Sequence, residues 1–188
     1  MTIAIGIIAE DDSDIEVLKI LIGHYKRPRQ HKFHHVSAGG CARILSKCRA
    51  WAENLKNKGC TRLIIVQDSD GNNPQKLQAE IIQKLNPSPI NLHVVVIPVR
   101  ELEAWLLADA DAIRSAFKIK TKVKKVTNPE AIHDAKKRLR DEISKWTQKK
   151  VRYINTVDNK KIAAACNAKA LCSCASYVPL DNFIKTHC

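Results

Sequence analysis

The sequence of 188 residues contains no apolar run approaching the roughly 20 residues that a membrane-spanning helix requires. It also contains no polar low-complexity tract, no flexible linker and no internal repeat. These absences argue against a helical membrane protein, a disordered chain and a repeat array, and they favour a folded globule. The chain begins with a short apolar stretch that lacks a basic lead-in, so we expect no signal peptide and a cytoplasmic location.

Acidic residues are scarce beside basic ones. The chain has 19 Asp and Glu residues and 32 Lys and Arg residues, which gives a formal net charge of +13. A positive net charge of this size attracts polyanions, so we expect DNA or RNA as a partner and no membrane association. No helix-turn-helix or zinc-finger pattern is present, and specific reading of base sequence is therefore not indicated.

Seven cysteines are present, and their odd number and scattered positions favour a reducing compartment over a disulfide framework. Two groups of residues raise zinc or another metal as an alternative. Neither group has a standard ligand spacing, so ordinary packing or a solvated loop is favoured. The groups are Cys166, Cys172, Cys174, His187 and Cys188 near the end of the chain, and His31, His34 and His35.

The first hundred residues alternate apolar stretches with segments of helical periodicity. The apolar stretches predict strands at 3–9, 33–37, 62–66 and 92–97. Because helical segments of ten or more residues separate them, these strands are expected to run parallel through right-handed crossovers. We predict a Rossmann-like α/β domain over residues 1–110, with a sheet of about four strands flanked by helices. A basic, mainly helical extension over residues 111–188 is expected to pack on it.

Capping residues predict two helix starts. Asp12 or Ser13 is expected to cap the first helix of the sheet domain. In the extension, Asn128-Pro129-Glu130 is typical of a helix start, with an Asn cap and a proline in the first turn. That second helix would carry an apolar stripe opposite a dense basic face, and the stripe comprises Ile132, Ala135, Leu139, Ile143 and Trp146.

Carboxylates follow three of the four predicted strands. Glu10 ends the first strand, Asp68 and Asp70 end the third, and Glu101 and Glu103 come after the fourth. The carboxyl ends of parallel strands meet at one rim of a sheet, where functional crevices lie. A hard divalent cation offsets repulsion in such a cluster, and Mg²⁺ or Mn²⁺ fits best because no His or Cys is expected at this rim. The alternative is that these acids are helix caps and an ordinary turn.

Three segments resemble a known family. Glu10-Asp11-Asp12-Ser13-Asp14, with Leu18 four residues on, resembles the Glu-x-x-Ser/Thr-Asp-x-x-x-Leu opening of Toprim domains, especially those of OLD-family nucleases. Gln67-Asp68-Ser69-Asp70-Gly71 resembles the Toprim Asp-x-Asp motif. Arg100-Glu101-Leu102-Glu103-Ala104-Trp105-Leu106-Leu107-Ala108-Asp109 resembles a block from short prokaryotic Toprim-like proteins of unassigned function, often found beside ATPase genes. Many Toprim domains have Gly where this chain has Asp11, which adds Asp11 as an alternative ligand.

The resemblance implies a Toprim fold that binds Mg²⁺ or Mn²⁺ for phosphodiester hydrolysis of DNA or RNA. By this resemblance, Glu10 is a metal ligand or general acid/base, and Asp68 and Asp70 are metal ligands. Glu103 is the fourth acid, while Asp14 supports the first turn or a second metal. No tyrosine matches a nucleophile motif, which favours attack by water. The chain has no P-loop, so any ATP dependence would come from a separate ATPase, with phage defence as the implied setting.

Basic residues between Arg114 and Arg152 are the expected phosphate-binding surface, with a merely solvated face as the alternative. Ser37-Ala38-Gly39-Gly40 either presents backbone amides to a phosphate or forms a simple turn. The basic candidates are Lys118, Lys120, Lys122, Lys124, Lys125, Lys136, Lys137, Arg138 and Arg140.

Two other functions remain open from the sequence. A receiver domain would use the acidic residues around Glu10 and would be phosphorylated on Asp68, but no Thr or Ser switch and no fifth strand with its Lys follow the fourth strand. A Toprim-like subunit could also bind nucleic acid yet be inactive without its ATPase. A homodimer is a further open alternative.

Overall fold

Four parallel strands form the centre of the computed structural model, which describes residues 2–25 and 30–188. The strands are β1 (Ile3–Ala9), β2 (His31–Ser37), β3 (Arg62–Val66) and β4 (His93–Val96). They lie in the order β2-β1-β3-β4, with Ile8 beside both Val36 and Ile65. The predicted α/β fold with a parallel sheet flanked by helices is confirmed, and each predicted strand lies within two residues of its observed bounds.

Helices connect the strands and make up most of the remaining described chain. A short helical turn of the 3₁₀ type precedes α6, and another precedes α9. The helices are α1 (Asp12–Gly23), α2 (Cys41–Asn57), α3 (Pro74–Leu85), α4 (Glu103–Leu107), α5 (Ala110–Ala116), α6 (Ala135–Trp146), α7 (Asn155–Ala165), α8 (Ala168–Leu171) and α9 (Val178–His187).

Alternate residues of the sheet pack on opposite faces, as the period of a strand requires. Ile5 and Ile7 belong to the core that α1 and the C-terminal helices cover, whereas Ile8 belongs to the core under α2 and α3. Gly6 allows α2 to approach β1 closely, because a β-carbon there would lie 3.0 Å from Leu55 Cδ1. The central strands β1 and β3 are therefore mostly buried, whereas β2 at the edge of the sheet is partly exposed.

The C-terminal helices share the core of the sheet. Helix α7 packs against α1 and α5, and α9 packs beside β4. The fully buried Trp105 links the two parts, since its indole N–H donates to Ser176 Oγ at 2.8 Å and its ring meets Tyr177 edge-on. Among the residues that the structure describes, no helix is both long and apolar enough to cross a membrane.

Both predicted helix starts were wrong in detail. Asp11, rather than Asp12 or Ser13, caps α1, because its extended backbone lets the carboxylate accept from the amides of Ser13 (2.8 Å) and Asp14 (3.0 Å). Asn128-Pro129-Glu130 starts only a short 3₁₀ turn, and Ile132 after it is extended. Helix α6 begins at Ala135, where Asp134 accepts from the Lys137 amide at 2.7 Å.

Candidate metal and nucleic-acid site

The site lies where the neighbouring strands β1 and β3 end. The chain leaves β1 toward β2 on one side and returns to β3 on the other, which creates the crevice that binds ligands in open α/β sheets. Glu10 and Asp68 come from these two strand ends. The Asp68 amide donates to Glu10 Oε1 at 3.1 Å, so the two predicted residues are held together.

The turn after β3 is fastened to the segment after β4. Asp68 Oδ1 accepts from the Leu102 amide at 2.9 Å, and Ser69 Oγ accepts from the Arg100 amide at 2.7 Å. Asp70 adopts a left-handed backbone with φ of 47°, and its amide donates to the Arg100 carbonyl at 3.2 Å. These bonds bring the carboxylates of the third and fourth strand ends to the same rim.

An outer group at the rim consists of Glu10, Asp70 and Cys41. One ligand atom from each of them lies within 4.8 Å of the others, and all three are at least partly exposed. Cys41 is the first residue of α2, and the Gly39 amide just before it donates to the Glu10 carbonyl at 2.8 Å. The expectation that no Cys lies at this rim was wrong, because the β2–α2 connection returns the start of α2 to the end of β1.

An inner group consists of three buried carboxylates, Asp14, Asp68 and Glu103. Asp14 lies in the first turn of α1, and Glu103 is the first residue of α4. Glu103 Oε1 accepts from Asn159 Nδ2 at 2.9 Å, whereas Oε2 accepts no hydrogen bond within the described residues although it is buried. Glu103 Oε2 is therefore available for an ionic contact.

Lys136 is the cation of the cluster. Its Nζ lies 3.8 Å from Glu103 Oε2 and 4.0 Å from oxygens of both Asp68 and Glu101, and its backbone amide donates to Glu101 Oε2 at 2.9 Å. We predicted Lys136 as one of the phosphate-binding residues of an exposed helix face. Helix α6 instead packs against α4 and inserts this side chain among the acids, with 41% of it still exposed.

Burial and mutual repulsion shape the electrostatics of the rim. Burial, then Asp11 and Glu103, raise the pKa of Asp14 to about 8, and burial with Asp14 and Glu103 raises the pKa of Asp68 well above its usual range. Burial and Asp70 raise the pKa of Glu10. Burial also raises the pKa of Glu103, although Lys136 and Asn159 oppose it. One lysine therefore does not compensate the charge of the cluster, which is a suitable environment for a divalent cation.

Asn159 and Tyr153 hold Glu103 of the inner group in place through hydrogen bonds. The Tyr153 hydroxyl donates to Asn159 Oδ1, and the Asn159 amide in turn holds Glu103. Both residues are buried, and Asn159 lies on α7. Sequence reasoning missed them because a single Asn in a helix of weak periodicity carries no local signal.

Two neighbouring segments have their polar groups already engaged. Asp11 Oδ1 accepts from the Ser13 hydroxyl at 2.7 Å as well as from two amides, so it serves α1 as a cap. The amides of Ala38 and Gly39 donate to the carbonyls of Ala9 and Glu10, and they are not free for a phosphate.

The predicted basic surface is exposed apart from Lys136. Five of its lysines project from the irregular segment between α5 and α6, which buried Ile119 and Val123 anchor to the core. Lys137 and Arg140 are exposed on α6, and Arg138 pairs with Glu142 at 2.7 Å. The five lysines of the segment are Lys118, Lys120, Lys122, Lys124 and Lys125.

Within the described residues, Glu10, Cys41 and Asp70 are the only three His, Cys, Asp or Glu residues with ligand atoms this close together. The cysteines near the end of the chain and the histidines of β2 form no such group. Cys166, Cys174 and Cys188 are buried.

A family model described as "Domain of unknown function (DUF4276)" matches residues 9–183. No curated protein and no solved structure matches the chain.

Proposed function

The chain belongs to the DUF4276 family, and we propose that it is a divalent-metal-dependent nuclease that hydrolyses phosphodiester bonds of DNA or RNA. The observation that carries the proposal is the position of Lys136. It joins the carboxylate rim to the basic helix α6, so a polyanion bound along that helix comes into contact with the acids. Acids alone repel nucleic acid, whereas acids beside a lysine and a bound metal ion can receive a phosphate.

The metal would be held by residues of both groups at the rim. Glu10, Asp70 and Cys41 offer a set of donors at one point, and Asp68 and Glu103 offer carboxylate oxygens beside it, with Asp14 behind them. Bound there, a divalent cation supplies charge neutralisation for the attacking and leaving oxygens. A thiolate among the donors favours Mn²⁺ over Mg²⁺, because Mg²⁺ takes oxygen ligands. Lys136 would bind the phosphate that enters the site.

Cleavage assays test the proposal. Purified protein is incubated with plasmid, linear DNA and RNA in Mg²⁺, Mn²⁺ or EDTA, and cleavage is expected only with metal. Glu10→Gln and Asp70→Asn are expected to abolish cleavage and Mn²⁺ binding by calorimetry, because the amides keep the shape of the carboxylates but remove their charge. Polyanion binding and the melting temperature should be retained. Variants that cleave at the wild-type rate would refute the assignment.

The nuclease is also proposed to act with a separate ATPase. A wild-type protein that binds Mn²⁺ and nucleic acid but cleaves nothing alone would favour the related function of a subunit that depends on this partner. Adding the ATPase encoded by a neighbouring gene then separates the two cases, since cleavage should appear only in the mixture.

A receiver domain remains the rival from another class, and the proximity of Lys136 to Asp68 is the observation in its favour. Against it, Asp68 is only 7% exposed and one of its oxygens is bonded to the Leu102 amide. Incubation with a small phosphodonor is expected to leave the protein unlabelled, and an acyl phosphate at Asp68 would favour the receiver.

A further inference from the structure

Trp146, the last residue of α6, stands between two cavities. One cavity of about 380 Å³ lies between the end of α6 and the segment that precedes its 3₁₀ turn. The other, of about 340 Å³, lies beyond the C-terminal end of α6. Trp146 lines both, and it is partly buried against the main core. Trp146 therefore packs against the core and also forms part of the wall of both cavities.

Both cavities are strongly basic. Four cationic side chains line the first against a single acid, Glu142, which pairs with Arg138 at 2.7 Å. Of the residues that the structure describes, three lysines and no acid line the second. The cations of the first cavity are Lys124, Lys125, Arg138 and Lys145, and those of the second are Lys118, Lys120 and Lys150.

We propose that Trp146 and the two lysine-lined cavities beside it form a binding site for unpaired bases of single-stranded DNA or RNA. An indole presents a π-face on which any base can stack, and the surrounding lysines neutralise the phosphates on either side of that base. Bases within a duplex are already stacked on each other and cannot reach the ring. The site therefore selects single strands rather than particular sequences.

This site is separate from the carboxylate rim. Arg138 follows Lys136 by two residues in α6, which is a rotation of about 200° around the helix axis. The two side chains therefore leave the helix on nearly opposite sides. Lys136 points into the rim and Arg138 lines the first cavity. The inference rests on the proposed function for the identity of the polyanion, but it makes a prediction about binding that does not depend on cleavage.

Tryptophan fluorescence in EDTA tests the site with four probes: oligo-dT, oligo-U, a duplex of the same length, and inorganic polyphosphate. Single strands are expected to quench the fluorescence, and Trp146→Phe should remove the quench. Trp51→Phe is the matched control and should keep it, because Trp51 lies on α2 on the other face of the sheet. The oligo-dT and oligo-U arms show whether DNA, RNA or both are bound.

Affinity gives a second readout. Trp146→Leu keeps an apolar side chain but removes the stacking face, so single-strand binding should weaken about 5- to 150-fold, the equivalent of one stacked base. Its affinity for polyphosphate should change less than about two-fold. Equal losses for polyphosphate and single strands, or a duplex that binds and quenches as well as a single strand, would overturn the site. If Trp146→Leu does not fold, the quench in Trp146→Phe decides.

The two proposals fail separately. Protein that never cleaves with metal but shows the Trp146 quench loses only the nuclease assignment. Protein that cleaves with metal but shows no single-strand quench loses only the base-binding site.

Discussion

Lys136 is the counter-ion of three carboxylates at the rim, those of Asp68, Glu101 and Glu103, and its Nζ lies 3.8 to 4.0 Å from an oxygen of each. Removing Lys136 leaves buried carboxylates without a cation, which lowers the free energy of unfolding. Removing its exposed neighbour Lys137 does not have this effect.

We expect Lys136→Met to destabilise the metal-free protein by about 1–3 kcal/mol, whereas Lys137→Met should stay within about 0.5 kcal/mol of wild type. Millimolar Mn²⁺ should restore much of the loss, because a divalent cation replaces the missing charge. Thermal melts of both variants in EDTA and in Mn²⁺ measure this. Equal melting temperatures for the two variants in EDTA would contradict the role of Lys136.

Asp14 makes the stability of the metal-free protein depend on pH. Its pKa is about 8 in the folded protein, against an ordinary value of 3.8, so between about pH 4 and pH 8 the folded state binds the extra proton. Stability therefore falls as the pH rises through this window, by at most about 1.4 kcal/mol per pH unit for one proton.

Urea melts in EDTA at pH 5 and pH 8 measure this effect, and Asp14→Asn should reduce the dependence because an amide does not titrate. Asp68, whose pKa is also raised, accounts for part of what remains. Asp12→Asn, at an exposed position of the same helix, is the control and should keep the pH dependence. A wild type more stable at pH 8 than at pH 5 would contradict the burial of Asp14 as a protonated acid.

At the scale of elements, the rim depends on how closely α2 approaches β1. Helix α2 carries Cys41 to Glu10, and its distance from the sheet is set where Leu55 lies over Gly6. A β-carbon at Gly6 would force Leu55 to shift away from the strand, since packed cores have little free space.

We expect Gly6→Ala to destabilise the protein by about 1–3 kcal/mol, because the added β-carbon would lie 3.0 Å from Leu55 Cδ1. Gly23→Ala is the control: no atom of the described residues lies within 4 Å of a β-carbon there, and alanine at the end of α1 should be neutral or stabilising by up to about 1 kcal/mol. Chemical denaturation measures both. Shortening Leu55 to Val in the Gly6→Ala background should recover part of the loss.

At the scale of the whole molecule, a net charge of +13 is distributed unevenly around a small acidic site. The lysines of the segment before α6 form one basic region, and α2 carries exposed lysines on the opposite face of the sheet. If general attraction were the whole explanation of polyanion binding, charge removed from either face would have the same effect.

We expect Lys122, Lys124 and Lys125 changed together to Glu to weaken nucleic-acid binding at all sequences and to reduce its salt dependence, because fewer counterions are released. Lys47, Lys56 and Lys58 changed to Glu alter the net charge equally and should have a much smaller effect. Filter binding or anisotropy over a range of salt concentrations measures this. Equal losses of affinity in the two triple variants would mean that nucleic acid is bound only by non-specific attraction to the net charge.

The sheet and the carboxylates at its rim could be predicted from the amino-acid sequence. Apolar runs of β1 and β3 can be buried only as covered strands, and parallel strands place whatever follows them at one edge, which is why Glu10, Asp68 and Glu103 could be named in advance. These inferences are local, or follow from one rule of topology.

Which groups meet at that rim depends on how the helices pack. Cys41, Lys136 and Asn159 come from three different helices, α2, α6 and α7, and each reaches the acids through the packing of its helix rather than through a spacing that the sequence displays. The cap of α1 was also decided only in the folded chain, since Asp11, Asp12 and Ser13 are all suitable residues and the extended backbone at Asp11 selects it. Side chains with equal local preferences are distinguished by long-range contacts, because burial and charge depend on neighbours that only the folded chain provides.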